Sequence, residues 1–531
     1  MNSYCLEARI DRLLVAISTI SFYPTLFCLG FDDRFQSFRF FRKRFFFFGM
    51  MGELCRYLRR ISSFSSMATA AAMKQAISAA EYTQRRSNLV TKLRHAMSEI
   101  KNKSLVVVLR SAVRHFYAPD VPYPFHQCSY FRYFTGLNQP DTVLIIVAGS
   151  EKKPRSILYI EERSEKQELW EGPGLSANEI ASISGLDEIK KRNQLLPDLQ
   201  RLIFNTVGCT VSYDTTTLHT VKDGLSEMLS TCNTFVPVRE HIDALRWIKS
   251  SAEQDLMRRT CSIGAESMNA VIGRSRGANN ENEIVGQLEL EVRRRGAACL
   301  AYPPVVAAGN RANIIHYLDA NKAINKSDTM LIDAGCDYEG YSSDITRVFP
   351  VSGHFSAPQR AIYDALNDVQ SRLLDYLRQT ESLRLNDVYL AMIEYIAKNF
   401  FEIGIFSSNM GEEELLYEAD KLCPHHVSHY LGMDVHDTAS VARNILLKAG
   451  VTFTVEPGIY IRHDNEKVRK EFRGIGMRIE DDILLGSNGL VEVLTKDAVR
   501  DPESIELLMM TECVKQSNDD LRMLQNLPQS A

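Results

Sequence analysis

Four carboxylates and one imidazole in the second half of this 531-residue chain stand in contexts that favour metal ligation: Asp333, Asp344, His429, Glu456 and Glu480. They occur in Leu-Ile-Asp333-Ala-Gly, Ser-Asp344-Ile-Thr-Arg, His-His-Val-Ser-His429-Tyr-Leu-Gly, Thr-Val-Glu456-Pro-Gly and Arg-Ile-Glu480-Asp. Each acid lies in or at the end of a short β-branched, apolar run, so each is expected on a sheet rather than free on a loop. Asp337, Gly340 and Ser342 supply turn material between Asp333 and Asp344, which suits two neighbouring strands aiming both acids at one spot. A lone acid in such a setting is more often a solvated strand end. Five donors together imply something else, because buried like charges cannot all ionise side by side without cations among them. Oxygen-rich ligation with a single imidazole favours hard or borderline divalent ions, manganese first, with cobalt or zinc as alternatives. Two such ions roughly 3.5 Å apart would clamp a bridging hydroxide and polarise a carbonyl, which is the chemistry of a hydrolase.

These segments resemble the pita-bread metallopeptidases and, within them, the aminopeptidase P family, whose members remove an N-terminal residue that precedes proline. The resemblance extends to Ala301-Tyr302-Pro-Pro-Val-Val, Asn313-Ile-Ile-His316-Tyr, Leu431-Gly-Met-Asp-Val-His436-Asp and Gly474-Ile-Gly-Met-Arg478. Upstream it takes in Tyr130-Phe-Arg-Tyr-Phe-Thr-Gly136 and Glu168-Leu-Trp170-Glu-Gly-Pro173, and it is closest to a mitochondrial subgroup of the family. One segment departs from the common pattern: the usual His-Gly-x-x-His is here His425-His426-Val-Ser-His429, a double histidine typical of that subgroup.

The resemblance implies two manganese ions per subunit. Asp333 and Asp344 would bind one, Asp344 and Glu480 would bridge to the second, and His429 and Glu456 would complete it. Glu456 would also be the general base, taking a proton from the nucleophile and delivering it to the leaving proline nitrogen. His316 and His436 would hydrogen-bond the scissile carbonyl and the developing oxyanion, and Tyr302 would contact substrate. Without the resemblance, a histidine between Ile315 and Tyr317 reads as an ordinary packed residue. Arg478, two residues before Glu480, is expected to face the same side and orient ligand carboxylates. The implied substrates are peptide or protein N-termini with proline second, and the implied assembly is a homodimer in which Tyr130, Phe131 or Trp170 closes a partner's pocket. A prolidase restricted to dipeptides shares the ligand set, and a non-catalytic peptide-binding module on this fold would lack it.

A formal net charge of −4, with 45% hydrophobic and 24% charged residues, fits a two-domain enzyme and argues against a nucleic-acid partner. The 11 cysteines form no Cys-x-x-Cys pair and are odd in number, as expected of reduced thiols in cytosol or matrix. Cys336 reads as a small packed residue, not a nucleophile.

Residues 1–75 read as a leader. From Met51 the chain is rich in arginine and serine and nearly free of acids, with Leu54, Leu58 and Ile61 on one helical face, which resembles a mitochondrial transit peptide. A mitochondrial location is therefore expected, with the cytoplasm as the alternative if the leader does not function. The uncharged stretch 13–31 offers a rival reading as a signal anchor, and a start at Met50 or Met51 explains it equally well.

Residues 76–240 alternate helical and strand patterns, with apolar β-rich runs at 105–109, 142–147 and 156–160, so an α/β amino-terminal domain is expected. Residues 237–251 are the expected joint, with Ser251 and Gln254 as a capping pair for the following helix. The catalytic domain, 241–520, is expected to be α+β, with helices at 280–295 and 357–377, the latter capped by Ser356 and Gln359. Its helices would pack on a mostly antiparallel sheet, whose inward curve is implied by the resemblance.

Overall fold

Three apolar runs of the amino-terminal region become neighbouring strands in the computed structural model of the chain, which describes residues 76–96, 104–149, 153–206, 208–216, 223–232, 234–406 and 409–511. They are Leu105–Arg110, Val143–Ala148 and Arg155–Ile160, paired antiparallel. Glu188–Lys191, Thr210–Tyr213 and Phe235–Pro237 extend the sheet in parallel to six strands. Its central strand is apolar at successive positions because both faces are covered. Leu105, Val107 and Leu109 pack with Leu89 and Leu93 of the helix Ala79–Ala96, whereas Val106 and Val108 pack with Leu195 and Leu199 of the helix Leu195–Phe204. The two-residue period of the strand distributes one run between two cores.

The expected joint is not a bare linker. It contains the helix Arg239–Arg246, which buries Ile242, Asp243 and Arg246. The next helix, Ser251–Arg274, begins one residue earlier than the Ser251 and Gln254 pair suggests, because Ser250 has the extended backbone of a cap and forms the reciprocal box with Glu253. Gln254 instead donates to the Lys249 carbonyl, at 2.9 Å. The other two helices match their expectations closely, as Glu281–Arg294 with Asn280 as its cap and Ala357–Gln379 with the Ser356 and Gln359 box. In the latter, Ile362, Leu366, Val369, Leu373 and Leu377 are all buried.

Every strand pair described between residues 299 and 493 is antiparallel. Thr329–Asp333 lies between Val305–Ala308 and Thr346–Pro350, and Asp481–Leu485 lies between Thr452–Val455 and Val491–Val493. Gly458–Tyr460 pairs with Gly476–Arg478. Between Asp333 and Asp344 the hairpin Cys336–Tyr338 and Tyr341–Ser342 turns through Glu339 and Gly340, both at positive φ. Gly335 is required by close approach, since a Cβ there would lie 1.6 Å from the Ser343 carbonyl oxygen.

Among the described residues no helix is long and apolar enough to cross a membrane. The stretch 13–31 and the Arg-rich run from Met51 lie outside the described residues.

Candidate metal centre

Strand ends place the four acids, and a loop segment beside an isolated bridge at Tyr430 supplies His429. Asp333 closes Thr329–Asp333 and pairs with Thr346 of the adjacent strand, so Asp344 enters the site from the next chain segment. Glu456 follows Thr452–Val455, and Glu480 sits between Gly476–Arg478 and Asp481–Leu485. His429 is held against Thr454, whose backbone N–H donates to the His429 carbonyl at 3.0 Å. Its Nδ1 donates to the Tyr430 carbonyl at 3.2 Å, which turns Nε2 toward the acids. From Nε2 the distances are 3.3 Å to Asp344, 3.5 Å to Glu456 and 4.0 Å to Glu480. Donor atoms of Asp344, His429 and Glu480 lie within 4.8 Å of one another. The Tyr302 hydroxyl joins Asp333 to this group, donating to its Oδ1 at 2.7 Å and bonding Asp344 as well.

The electrostatics favour bound cations or protons at these acids. Burial raises the Glu480 carboxyl well above its usual range, and Asp344, Glu456 and Asp333 push it further. Burial likewise raises Asp333, against the pull of Arg478, and Glu456, against the pull of His429. Burial disfavours a charged His429, but the Asp344 and Glu456 carboxylates outweigh it and bring the imidazole to about 9. Four acids thus face one buried guanidinium and one imidazole. The donor set is hard oxygen with a single nitrogen, and it is short of positive charge, so it fits divalent ions that would keep the carboxylates ionised.

That deficit has a pH signature. In ion-free protein the folded chain keeps protons on Glu480, Asp333 and Glu456 that the unfolded chain has released, so stability falls as pH rises from the ordinary carboxylate range through the raised folded values. Added Mn2+ takes the place of those protons. The gain in thermal midpoint on adding Mn2+ should therefore grow as pH rises above the ordinary carboxylate range. Differential scanning fluorimetry measures it, and a pH-independent gain would contradict the clustered, charge-deficient site.

Tyr460, Thr346 and Asp482, which support Arg478 and the acids, escaped the sequence reading. Arg478 bonds Asp333 Oδ2 with one nitrogen, the Tyr460 hydroxyl with another at 2.7 Å and Thr346 Oγ1 with Nε at 3.0 Å. Thr346 in turn donates to Glu480 Oε2 at 2.7 Å. Asp482 accepts the Asp344 backbone N–H at 2.9 Å and the Cys261 thiol at 3.2 Å. Asp481 points the other way, to Arg347 at 2.7 Å and Gln370 at 2.9 Å. The signal for Asp482 was present, since residues two apart on a strand share a face and Glu480-Asp481-Asp482 is a run of acids inside an otherwise apolar strand.

His436 meets His429 edge-on, with ring centroids 4.5 Å apart, at an open cleft of about 400 Å³ shared with Ala439, Val441 and Arg443. Burial, with His429 and His316 nearby, holds its imidazole down to about 4. His316 is exposed in the turn after Gly309–Asn313. Behind His436, the buried Asp437 accepts from Arg246 and from Lys249 at 3.1 Å, and Asp434 accepts from Arg246 and from Ser129, both at 2.7 Å. Of the double histidine, His425 reaches the Tyr460 hydroxyl at 2.9 Å, whereas His426 turns away to stack on Tyr389.

Two aromatic residues expected to close a partner's pocket are committed elsewhere. Phe131 is wholly buried in the amino-terminal core, and Tyr130 bonds Asp243 at 2.7 Å beneath Arg239 and Arg246. Trp170 remains 78% exposed on the helix Glu165–Glu171. Cys336 is buried against the Thr260 carbonyl, and burial pushes its thiol up to about 12, as suits a packed residue.

The antiparallel catalytic domain and its acid-and-histidine cluster define a metallopeptidase of family M24, whose model matches residues 255–487. Residues 82–209 match the aminopeptidase P N-terminal domain, and the chain belongs to the aminopeptidase P family. Human Xaa-Pro aminopeptidase 3 is 33% identical over 451 residues, covering 83% of this chain and 85% of its own. The mitochondrial intermediate cleaving peptidase 55 of Arabidopsis thaliana is 31% identical over 439 residues, covering 82% and 83%. Among solved structures, Icp55 from Saccharomyces cerevisiae without its N-terminal 58 residues superposes with a TM-score of 0.72 at 28% identity, over 82% of this chain and 98% of that one. Zinc-substituted Escherichia coli aminopeptidase P in complex with product gives 0.72 at 30% identity, over 82% and 99%.

Proposed function

We propose that this chain is a Xaa-Pro aminopeptidase that uses two divalent ions, manganese first, held by Asp333, Asp344, His429, Glu456 and Glu480. The convergence of Asp344, His429 and Glu480, with Glu456 beside His429 and Asp333 joined to Asp344 through Tyr302, carries the reading, and it speaks against a non-catalytic peptide-binding module. Two bound ions would polarise the scissile carbonyl and lower the pKa of bound water. The chain's own groups do the rest. Glu456, at the rim of the acid cluster beside His429, takes the water proton and delivers it to the prolyl nitrogen. His436 stays neutral at physiological pH, so it offers an N–H to the developing oxyanion without adding charge to the site. His316 holds the same carbonyl from the opposite loop. Arg478 and Tyr302 keep Asp333 in place, and the open cleft leaves room for a tertiary amide whose ring bends the chain.

His436→Ala should leave metal content unchanged and lower kcat by about 10²-fold, as for loss of one oxyanion donor. Metal analysis beside steady-state kinetics checks it: lost metal would make His436 a ligand, and an unchanged kcat would make it packing. A prolidase shares the ligand set, so the deciding assay compares a Xaa-Pro dipeptide with a Xaa-Pro tripeptide. Cleavage of the tripeptide at the Xaa-Pro bond supports the aminopeptidase, and cleavage of the dipeptide alone supports the prolidase.

We further propose the division into domains at 76–240 and 241–520, a homodimer in which Trp170 meets the second copy, and trimming of protein N-termini inside mitochondria. The last rests on the likeness to mitochondrial relatives and on the arginines of the leader. A fusion of residues 51–80 to a fluorescent protein should enter mitochondria and stay outside when Arg56, Arg59 and Arg60 are neutralised. A diffuse cytosolic signal from the intact fusion would overturn the assignment.

A further inference from the structure

We propose that Glu281 is the positioning residue that sets His316 against the reacting carbonyl, an inference that rests on the role given to His316 above. Glu281 is the first residue of the helix Glu281–Arg294 and is fully buried. Its carboxylate accepts four hydrogen bonds, all from the segment 308–322 that carries His316. On Oε1 the donors are the Ala308 N–H at 2.9 Å and Arg311 Nε at 2.6 Å. On Oε2 they are the Tyr317 hydroxyl at 2.9 Å and the Lys322 N–H at 3.0 Å. The Glu281 N–H returns a bond to the Lys322 carbonyl at 3.0 Å, and Arg311 reaches on to the Ala323 carbonyl at 2.9 Å. One carboxylate thus gathers both ends of the loop and the residue next to His316.

The other side of the loop is fixed by a backbone approach. A Cβ on Gly476 would lie 2.6 Å from the Ala312 carbonyl carbon and 2.8 Å from the Asn313 nitrogen, so the loop rests directly on the strand Gly476–Arg478. That strand ends in the arginine that holds Asp333. His316 projects from a segment clamped between a buried carboxylate and the wall of the metal centre, although its own ring is exposed. Its position is the position of the loop. A buried carboxylate satisfied by four donors favours one arrangement of those donors, because any shift leaves charge or polar hydrogens unpaired.

The test is a double-mutant cycle on the manganese-loaded enzyme with a Xaa-Pro tripeptide as substrate. In Glu281→Gln the side-chain NH2 faces two N–H donors or a hydroxyl and an N–H, so the loop must move. A displacement of the loop should lower kcat by about tenfold to 10²-fold, with metal content and KM unchanged. In a His316→Ala background the same substitution should change kcat by less than about twofold, because the group it positions is gone. Losses that multiply in the double variant would overturn the proposal while leaving the role of His316 standing. An unchanged kcat in His316→Ala alone would overturn that role and the proposal with it. Should Glu281→Gln fail to fold, Tyr317→Phe removes a single donor: a smaller fall in kcat that vanishes in the His316→Ala background supports the proposal, and a fall that persists there overturns it.

Discussion

Glu480→Ala should abolish turnover and lower the metal content. Glu480 is buried, its carboxyl is forced up by burial and by three neighbouring acids, and Thr346 aims one of its oxygens by a 2.7 Å hydrogen bond. A residue so placed gains its stable ionised form only when cations sit beside it, and it shares a donor group within 4.8 Å with Asp344 and His429. Deleting it removes charge that neutralises both proposed ions. Since metal ions contribute several kcal/mol to transition-state stabilisation, activity should fall by about 10³-fold or more. Metal analysis of the purified variant should show less than the parent's content, and Asp344→Ala should behave alike. Full metal retention with normal turnover in either variant would remove Glu480 and Asp344 from the centre.

Arg246→Ala should cost about 3–5 kcal/mol of stability, the range for stripping one partner from a buried ion pair. Arg246 and Asp437 have side chains 1% and 0% exposed, and Asp437 loses one of its two cationic partners, keeping Lys249, when the guanidinium is removed. The loss is a large part of the roughly 5–15 kcal/mol available to a domain, so poor recovery of soluble protein should accompany it. Asp437 adjoins His436, and Arg246 also ties Asp434 and Ser129 together, so the amino-terminal region and the histidine loop lose a common anchor. Urea denaturation with saturating Mn2+ measures the cost. A change below about 1 kcal/mol would show that the network is solvated or otherwise compensated.

The clustered acids were legible because each sits in a short apolar run, where an acid has no reason to be unless something pairs with it. The helix 357–377 was legible for a similar reason, since its cap and its buried stripe agree. The network behind His436 was not. Arg246 and Asp437 are 191 positions apart, and nothing in the local pattern of either segment announces the other. The start of Ser251–Arg274 slipped by one residue because Ser250 with Glu253 and Ser251 with Gln254 satisfy the same capping pattern, and only the extended backbone at Ser250 decides between them. Phe131 was misread because an aromatic cluster looks the same whether it lines a pocket or fills a core. The role of Glu281 depends on four donors spread over a loop, which no motif encodes.

The most direct measurement is anomalous diffraction at the manganese edge from crystals of the active, Mn2+-loaded enzyme. Two peaks bracketed by Asp344 and Glu480, one reached by Asp333 and the other by His429 and Glu456, are the expected result. A single peak, or peaks away from these five residues, in a preparation with full turnover would contradict the dinuclear centre.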